Sequence, residues 1–419
     1  MEVSAQYRKY VLYMLTGAYI FNFIDRQIVV ILAESIKEDL SLTDTDLGLL
    51  TGLVFALFYV SVGLPIARLA DKKNRKKIIS ISMIIWSIMT ALSGMAQNFV
   101  QLLLARIGVG IGEAGCSPPA HSIISDYYPA NKRATALSIY SMGIYIGVLI
   151  GYLCGGWLNE FFGWRLALMA VGLPGIVYAL ILAVTVKEPI RGMSDTKSKD
   201  ANYVPTLAEV ARTLWHKMSF KYLALGAGFN AFISYGVGNW SPSYLVRIHD
   251  MSSGEIGTWL SLSAGFGGAF GIWLGGYLGD KYGNQSPKWY LLIPAITLIL
   301  SIPVFIIMLV TSNKWICLLS IASTKILWTL YLAPCIAVTH GMVNIRMRAL
   351  ASAVFLLVLN LVGLGMGPTI IGAISDHLST SVGTESLRYA LSVCIVMSLL
   401  AAACYVLASK SIDKDLKVV

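Results

Sequence analysis

Charge is what this chain has least of. Only 13% of its 419 residues are charged, against 56% hydrophobic, and mean hydropathy is +0.70. Soluble domains run at about 25% charged. The composition therefore excludes the ordinary soluble classes and indicates a polytopic membrane protein. The six cysteines, at 116, 154, 317, 335, 394 and 404, form no CxxC and no Cys/His metal spacing. They are expected to be small buried apolar residues. There is no Walker loop, so ATP drive is not expected. The literal GxGxxG at Gly110-Ile-Gly112-Glu-Ala-Gly115 lies inside an apolar run with no strand before it. It fails the context that a dinucleotide site requires. Those glycines, with Pro118 and Pro119, are expected instead to thin and bend a membrane helix. No nucleophile set, metal set or large loop suggests an enzyme, and no cofactor is expected.

Long apolar runs are what the chain does have. A span takes about 20 mostly apolar residues. The pattern predicts twelve helices, near 10–35, 46–70, 78–97, 100–125, 133–160, 164–186, 221–247, 254–279, 288–311, 315–343, 349–377 and 385–409. The fold class expected is all-α, with twelve transmembrane helices. The apolar run after Arg8 and Lys9 is too long for a signal peptide and lacks a small-residue cleavage site, so it is kept as the first span.

Basic residues give the expected orientation. Arg8 and Lys9, Lys72 to Lys77, Lys132 and Arg133, and the basic residues between Lys187 and Lys221 fall on the side of the termini. So do Lys281, Lys288, Arg346, Arg348, Lys410, Lys414 and Lys417, while the opposite loops hold only Lys37, Arg165, Arg247, Lys314 and Arg388. Positive-inside bias then puts both termini in the cytosol and the chain in the plasma (inner) membrane. The asymmetry and anionic inner-leaflet lipid account for the +10 net charge. Dispersed over many loops, the basic residues predict no nucleic-acid partner. A monomer surrounded by membrane lipid is expected.

A repeat is visible. Ala67-Arg-Leu-Ala-Asp71-Lys72-Lys73-Asn74-Arg75 follows the second helix, and Gly276-Tyr-Leu-Gly-Asp280-Lys281-Tyr-Gly283 follows the eighth. Helix five carries Gly143, Gly147, Gly151 and Gly155, and helix eleven carries Gly363, Gly365, Gly367-Pro368 and Gly372. Small residues at such spacing let membrane helices approach closely. The expected organisation is a six-helix half at 1–190, a polar linker at 191–219 and a second half at 220–419.

Two six-helix halves with an Asp-Lys turn after helices two and eight resemble the major facilitator superfamily. Arg106-Ile-Gly108-Val-Gly110-Ile-Gly112-Glu113 resembles its fourth-helix motif. Four stretches resemble the bacterial members of the spinster family: Phe21-Asn-Phe-Ile-Asp25-Arg26-Gln27, Asp46-Leu-Gly-Leu-Leu-Thr-Gly52, Gly63-Leu-Pro-Ile-Ala-Arg-Leu-Ala-Asp71 and Gly238-Asn-Trp240-Ser-Pro242-Ser-Tyr244-Leu. Asn74 stands where the superfamily turn usually has Gly, a change that a tight turn tolerates. The resemblance implies a cavity lined by helices one, four, seven and ten, with the halves rocking around a midplane site. It implies Asp25, Arg26 and Glu113 as the coupling group. It also implies lipid-like amphiphiles, such as lysophospholipids or sphingoid derivatives, moved with protons. An Asp-Arg pair in helix one with a helix-four Glu likewise resembles the superfamily's sugar-acid symporters, so small organic anions are the alternative.

The deep charges fit independently. Asp25 lies fifteen residues past Tyr10, about 22 Å along its helix; Glu113 lies about 20 Å past Val100, and Lys325 about 15 Å past Trp315. Unpaired charge at such depth costs at least ~2.5–3.5 kcal/mol per residue. If helices one and four adjoin, Arg26 can pair with either Asp25 or Glu113. One cation between two carboxylates leaves one acid poorly compensated and able to exchange protons near neutral pH. The bland reading is a static triad that joins two helices. Arg106 either binds substrate or anchors structure, and Lys325 either meets a substrate anion or snorkels outward. Asn230, Tyr235, Trp240, Trp328 and Tyr331 form either an amphipathic ligand wall or ordinary packing. Asp71, Lys72, Arg75, Asp280 and Lys281 are read as conformational latches, with a topological role as the alternative.

Overall fold

The computed structural model describes residues 4–194, 205–283 and 285–416, and among these every regular element is helical. Helix one is Ala5–Ile31, followed by a short outer helix at Ala33–Leu40. Helix two is Asp44–Lys72, with a π-helical turn at Leu49–Leu53, and helix three is Arg75–Ser93. Helix four, Phe99–Tyr127, is interrupted between Glu113 and Ser117, where the glycine run meets Pro118 and Pro119. Helices five and six, within Ala130–Thr185, are two helices parted at Gly163. Thr185 returns to Tyr7 and Tyr10 at the start of helix one, near where Ala130 begins, so the pair makes two crossings. The reversal uses the φ of +77° at Gly163, which is open to glycine at little cost.

Helix seven is Met218–His249, helix eight Ser253–Gly283, helix nine Trp289–Val310 and helix ten Lys314–Gly341. Helix eleven joins Arg348–Val358 to Gly367–Val382 through the π-helical stretch Leu359–Met366, and helix twelve is Ser386–Leu391 with Val393–Leu416. The architecture is all-α with twelve membrane helices among the described residues.

Contacts gather the chain into two units. The first holds helices one to six without Thr43–Leu53, plus Ser252–Ser261; the second holds Thr43–Leu53 and the later helices. Two short exchanges therefore depart from a single cut at 191–219, and each has a hydrogen-bonded cause. Asn159 donates to Ser253 Oγ at 2.8 Å, and Glu160 accepts from the Gly254 amide at 2.6 Å. The first turn of helix two is held by residues of helices seven and eleven, described below.

Within the first unit the glycines of helix five receive helix one. A Cβ at Gly147 would lie 2.6 Å from the Ile20 carbonyl oxygen, and one at Gly151 2.8 Å from Gln27 Cβ. In the second unit a Cβ at Gly367 would lie 2.7 Å from the Phe232 carbonyl oxygen of helix seven. Close backbone approach supplies the packing that lipid cannot drive.

The linker has structure that its polarity did not suggest. Leu207–Trp215 is a helix capped by Thr206, whose hydroxyl accepts from the Glu209 amide at 3.2 Å, and its Val210 and Leu214 are buried one turn apart. Thr-x-x-Glu is a capping-box spacing, a start signal that was legible. The polar stretch at 195–204, and Lys417, lie outside the described residues. The cysteines also need a correction. Cys116, Cys317, Cys335 and Cys394 are buried, whereas Cys154 is exposed and Cys404 partly so. An outward-facing thiol on a membrane helix meets lipid tails, which tolerate a small weakly polar group as a core does.

Candidate functional site

The first unit brings four deep charges together. Arg26 Nε lies 2.5 Å from Glu113 Oε2, with the Glu113 side chain fully buried. Three rings surround the same guanidinium. Its Cζ lies 4.6 Å from the Tyr59 centroid and 5.0 Å from those of Phe23 and Phe55. Such contacts are worth about 2 kcal/mol or more when desolvated. Helix one supplies the cation, helix four the acid and helix two two of the rings.

Asp25 points elsewhere. It is 1% exposed, Trp86 and Thr90 of helix three face its carboxyl, and Glu113 and Arg106 act on it electrostatically. The expectation of one guanidinium shared by two acids is thus revised. Arg26 holds Glu113, while Arg106, seven residues before Glu113, acts electrostatically on both Glu113 and Asp25. Arg106 is 2% exposed and lies 5.5 Å over the Phe55 ring. Its Nε and Nη1, Asp25 Oδ1, Glu113 Oε1 and both amide atoms of Asn22 are buried without a hydrogen-bond partner.

The second unit holds the other residues singled out. Lys325 is partly buried on helix ten, with Ser234 Oγ 3.5 Å from its Nζ. Asn230 donates to the Trp328 carbonyl at 3.3 Å and keeps a buried, unbonded Oδ1. Tyr235 is exposed and Tyr331 buried. Trp240 and Trp328 are each 2% exposed, and their indoles donate to the Pro368 carbonyl at 2.9 Å and to Ser301 Oγ at 2.8 Å. Both handles are satisfied inside the protein, as packed tryptophans require. Of the expected wall, Asn230 keeps an unbonded buried oxygen, and Tyr235 is exposed.

Sequence reasoning missed a cluster at the start of helix two. Thr43 caps the helix, with Asp46 completing a capping box. Arg247 of helix seven binds Asp44 through two bonds, Nη1 to Oδ2 at 2.8 Å and Nη2 to Oδ1 at 2.7 Å. Ser375 of helix eleven donates to Asp44 Oδ2 at 2.6 Å. Its neighbour Asp376 accepts from the amides of Asp44 and Thr45 at 2.9 and 2.7 Å. Thr-Asp-Thr-Asp carries only a local capping signal, and the partners of the cluster lie 203 to 332 positions away.

With this geometry in view, the comparisons with known proteins decide the family. The family model of the Major Facilitator Superfamily matches residues 15–360. The chain belongs to this superfamily. Among its similar structures is a bacterial homologue of the human lysosomal transporter Spinster, solved in an inward-facing and unoccupied conformation. It is 36% identical, with a TM-score of 0.91 and 99% of both chains covered. An MFS-type efflux pump of Mycolicibacterium smegmatis is 32% identical over 94% of this chain and 91% of its own. A probable L-galactonate transporter of Escherichia coli is 27% identical over 64% of this chain and 60% of its own. The chain is thus an integral membrane transporter of the superfamily, not an enzyme, and is related to spinster proteins and to sugar-acid transporters.

The superfamily's Asp-Lys turns are the remaining candidates. Asp71, Lys72, Asp280 and Lys281 are exposed. Arg75 is not. It is 1% exposed, paired with Asp126 and, at 2.7 Å, with Glu188 Oε1, and it donates to the Pro189 carbonyl. Asn74 has φ −70°, so glycine is not needed there, and its side chain caps helix three by accepting from the Lys77 amide. Arg75→Ala leaves two acids without their partner. Breaking a buried pair from one side costs about 3–5 kcal/mol. The variant is expected to melt many degrees lower in detergent, and an unchanged melting temperature would show that the cluster contributes little.

Proposed function

We propose that this protein is a proton-coupled secondary transporter working by alternating access, and that its substrate is a lipid-like amphiphile with an anionic group, of the lysophospholipid or sphingoid type. The observation that carries the proposal is Arg26, held by Glu113 inside a cage of three aromatic rings. While Glu113 is ionised it occupies the guanidinium. A proton on Glu113 removes that competitor, and Arg26 then has a charge to offer a substrate anion beside apolar ring faces. Asp25, buried near Arg106 and Glu113 but not ion-paired with either, is a second acid on which proton occupancy can act. Lys325, Asn230 and Tyr235 are proposed as substrate contacts of the second unit. Trp240, Trp328 and Tyr331 support them by packing, and Asp71, Lys72, Arg75, Asp280 and Lys281 act at the turns as latches. The loop charges support cytosolic termini in the inner membrane.

The likeness to a spinster homologue over the whole chain supports the amphiphile. The partial likeness to the probable L-galactonate transporter supports the second reading, symport of a small organic anion. Aromatic rings around the cation favour the first, since a sugar acid is bound by a ring of polar donors. The test is uptake into proteoliposomes under an imposed pH gradient, comparing an anionic lysophospholipid with galactonate. Accumulation of the lysophospholipid alone supports the proposal, and accumulation of galactonate alone supports the second reading. A charge-assisted hydrogen bond is worth about 1.5–3 kcal/mol. Arg26→Ala is therefore expected to weaken lysophospholipid binding by roughly tenfold or more, and unchanged affinity would remove Arg26 from the site.

A further inference from the structure

Beyond Glu113, helix four carries polar residues at four-residue intervals: Ser117 and then His121, each step about 6 Å towards the end that bears the termini. Two tyrosines from neighbouring helices close on this stripe. Tyr140 of helix five is fully buried, and its hydroxyl donates to Ser117 Oγ at 3.4 Å. Tyr19 of helix one stacks on Tyr140 with centroids 4.4 Å apart, and its hydroxyl faces both Ser117 and Arg26. His121 meets the Tyr140 ring edge-on at 5.2 Å and is itself exposed. Among the described residues no charged group acts on its imidazole. The groups around the string are otherwise Cys116, 3.9 Å from the Tyr140 hydroxyl, and Tyr59, beside Tyr19 and Arg26.

We propose that His121 is the proton entry and exit group for Glu113 on the side of the termini, by a path lined by Tyr140, Ser117 and Tyr19 whose first step, from His121, and last step, to Glu113, are bridged by water. The step balances without any redox partner. The imidazolium gives up one proton, each hydroxyl accepts one and releases one, and the Glu113 carboxylate ends protonated with the imidazole neutral. Rotation of the hydroxyls resets the path. Positioned acid–base groups contribute about 10²–10⁴ to a proton transfer.

The proposal rests on the proton-coupled reading above, so the test separates the two. Detergent-solubilised protein is mixed with a weakly buffered pH jump in a stopped-flow instrument, and proton uptake is followed with the indicator dye pyranine. The Glu113-dependent phase is the difference between wild type and Glu113→Gln. His121→Gln is expected to slow that phase at least tenfold at unchanged amplitude. Tyr140→Phe should slow it similarly, and added imidazole should restore the rate in His121→Gly. An unchanged rate in His121→Gln overturns the relay while leaving Glu113 as the coupling acid. A Glu113→Gln amplitude equal to wild type overturns the coupling reading and the relay with it.

Discussion

Glu113→Gln is expected to abolish gradient-driven accumulation while leaving substrate exchange in place. With one proton per substrate, a gradient of one pH unit sustains about tenfold accumulation, since about 1.4 kcal/mol is a factor of ten. Without a titrating group the inside-to-outside ratio falls to one. The substitution is informative because an amide oxygen can still accept from Arg26, where the carboxylate stands 2.5 Å away. The aromatic cage need not move, so a loss would report the missing proton and not a collapsed site. Asp25→Asn is expected to act in the same direction through the Arg106 side of the cluster. If both variants accumulate substrate as wild type does under the same gradient, neither acid carries the coupled proton. If Asp25→Asn alone is silent, the coupling belongs to the Arg26–Glu113 pair.

How far the sequence could be read follows from what is local. Deep charge is rare in apolar spans, so Asp25, Arg26, Glu113 and Lys325 stood out, and counting residues along a helix gave their depth. The spans follow from apolar run length together with the polar breaks between runs, as at Gln97-Asn98. Which partner each charge takes is not local. Arg106 joins the cluster because helices one and four cross where they do, and no spacing rule says so. Arg75 is read from the sequence as a latch at a loop turn, yet Asp126 and Glu188, 51 and 113 positions away, draw it inside. Trp240 and Trp328 left both a ligand wall and packing open, because an indole suits either. They turned to packing because Pro368 and Ser301 offered acceptors. The join of helices five and six needed a positive φ that only Gly163 among its neighbours takes easily, a signal present in the sequence but shared with many other glycines.

Arg247→Leu is expected to release the first turns of helix two. The guanidinium is Asp44's bidentate partner, and both side chains are nearly buried, at 11% and 3% exposed. Removing it strands a buried carboxylate at a cost of about 3–5 kcal/mol. Asp376 would still cap the turn through the Asp44 and Thr45 amides, so the helix need not unfold; what it loses is its charge tie to helix seven. Moving a two-state equilibrium from 1:99 to 99:1 takes about 5.5 kcal/mol. A clasp made in only one state would bias that equilibrium towards it. The readout is the maleimide labelling rate of Leu50→Cys, at a position 1% exposed on the clasped segment, with the exposed Cys154 replaced. Labelling should rise at least tenfold in Arg247→Leu. It should fall back part-way when Asp44→Asn is added, because a neutral side chain leaves no stranded charge. Equal labelling rates with and without Arg247 would mean that the pair only decorates a segment held by its apolar contacts, and the clasp would then have no part in switching.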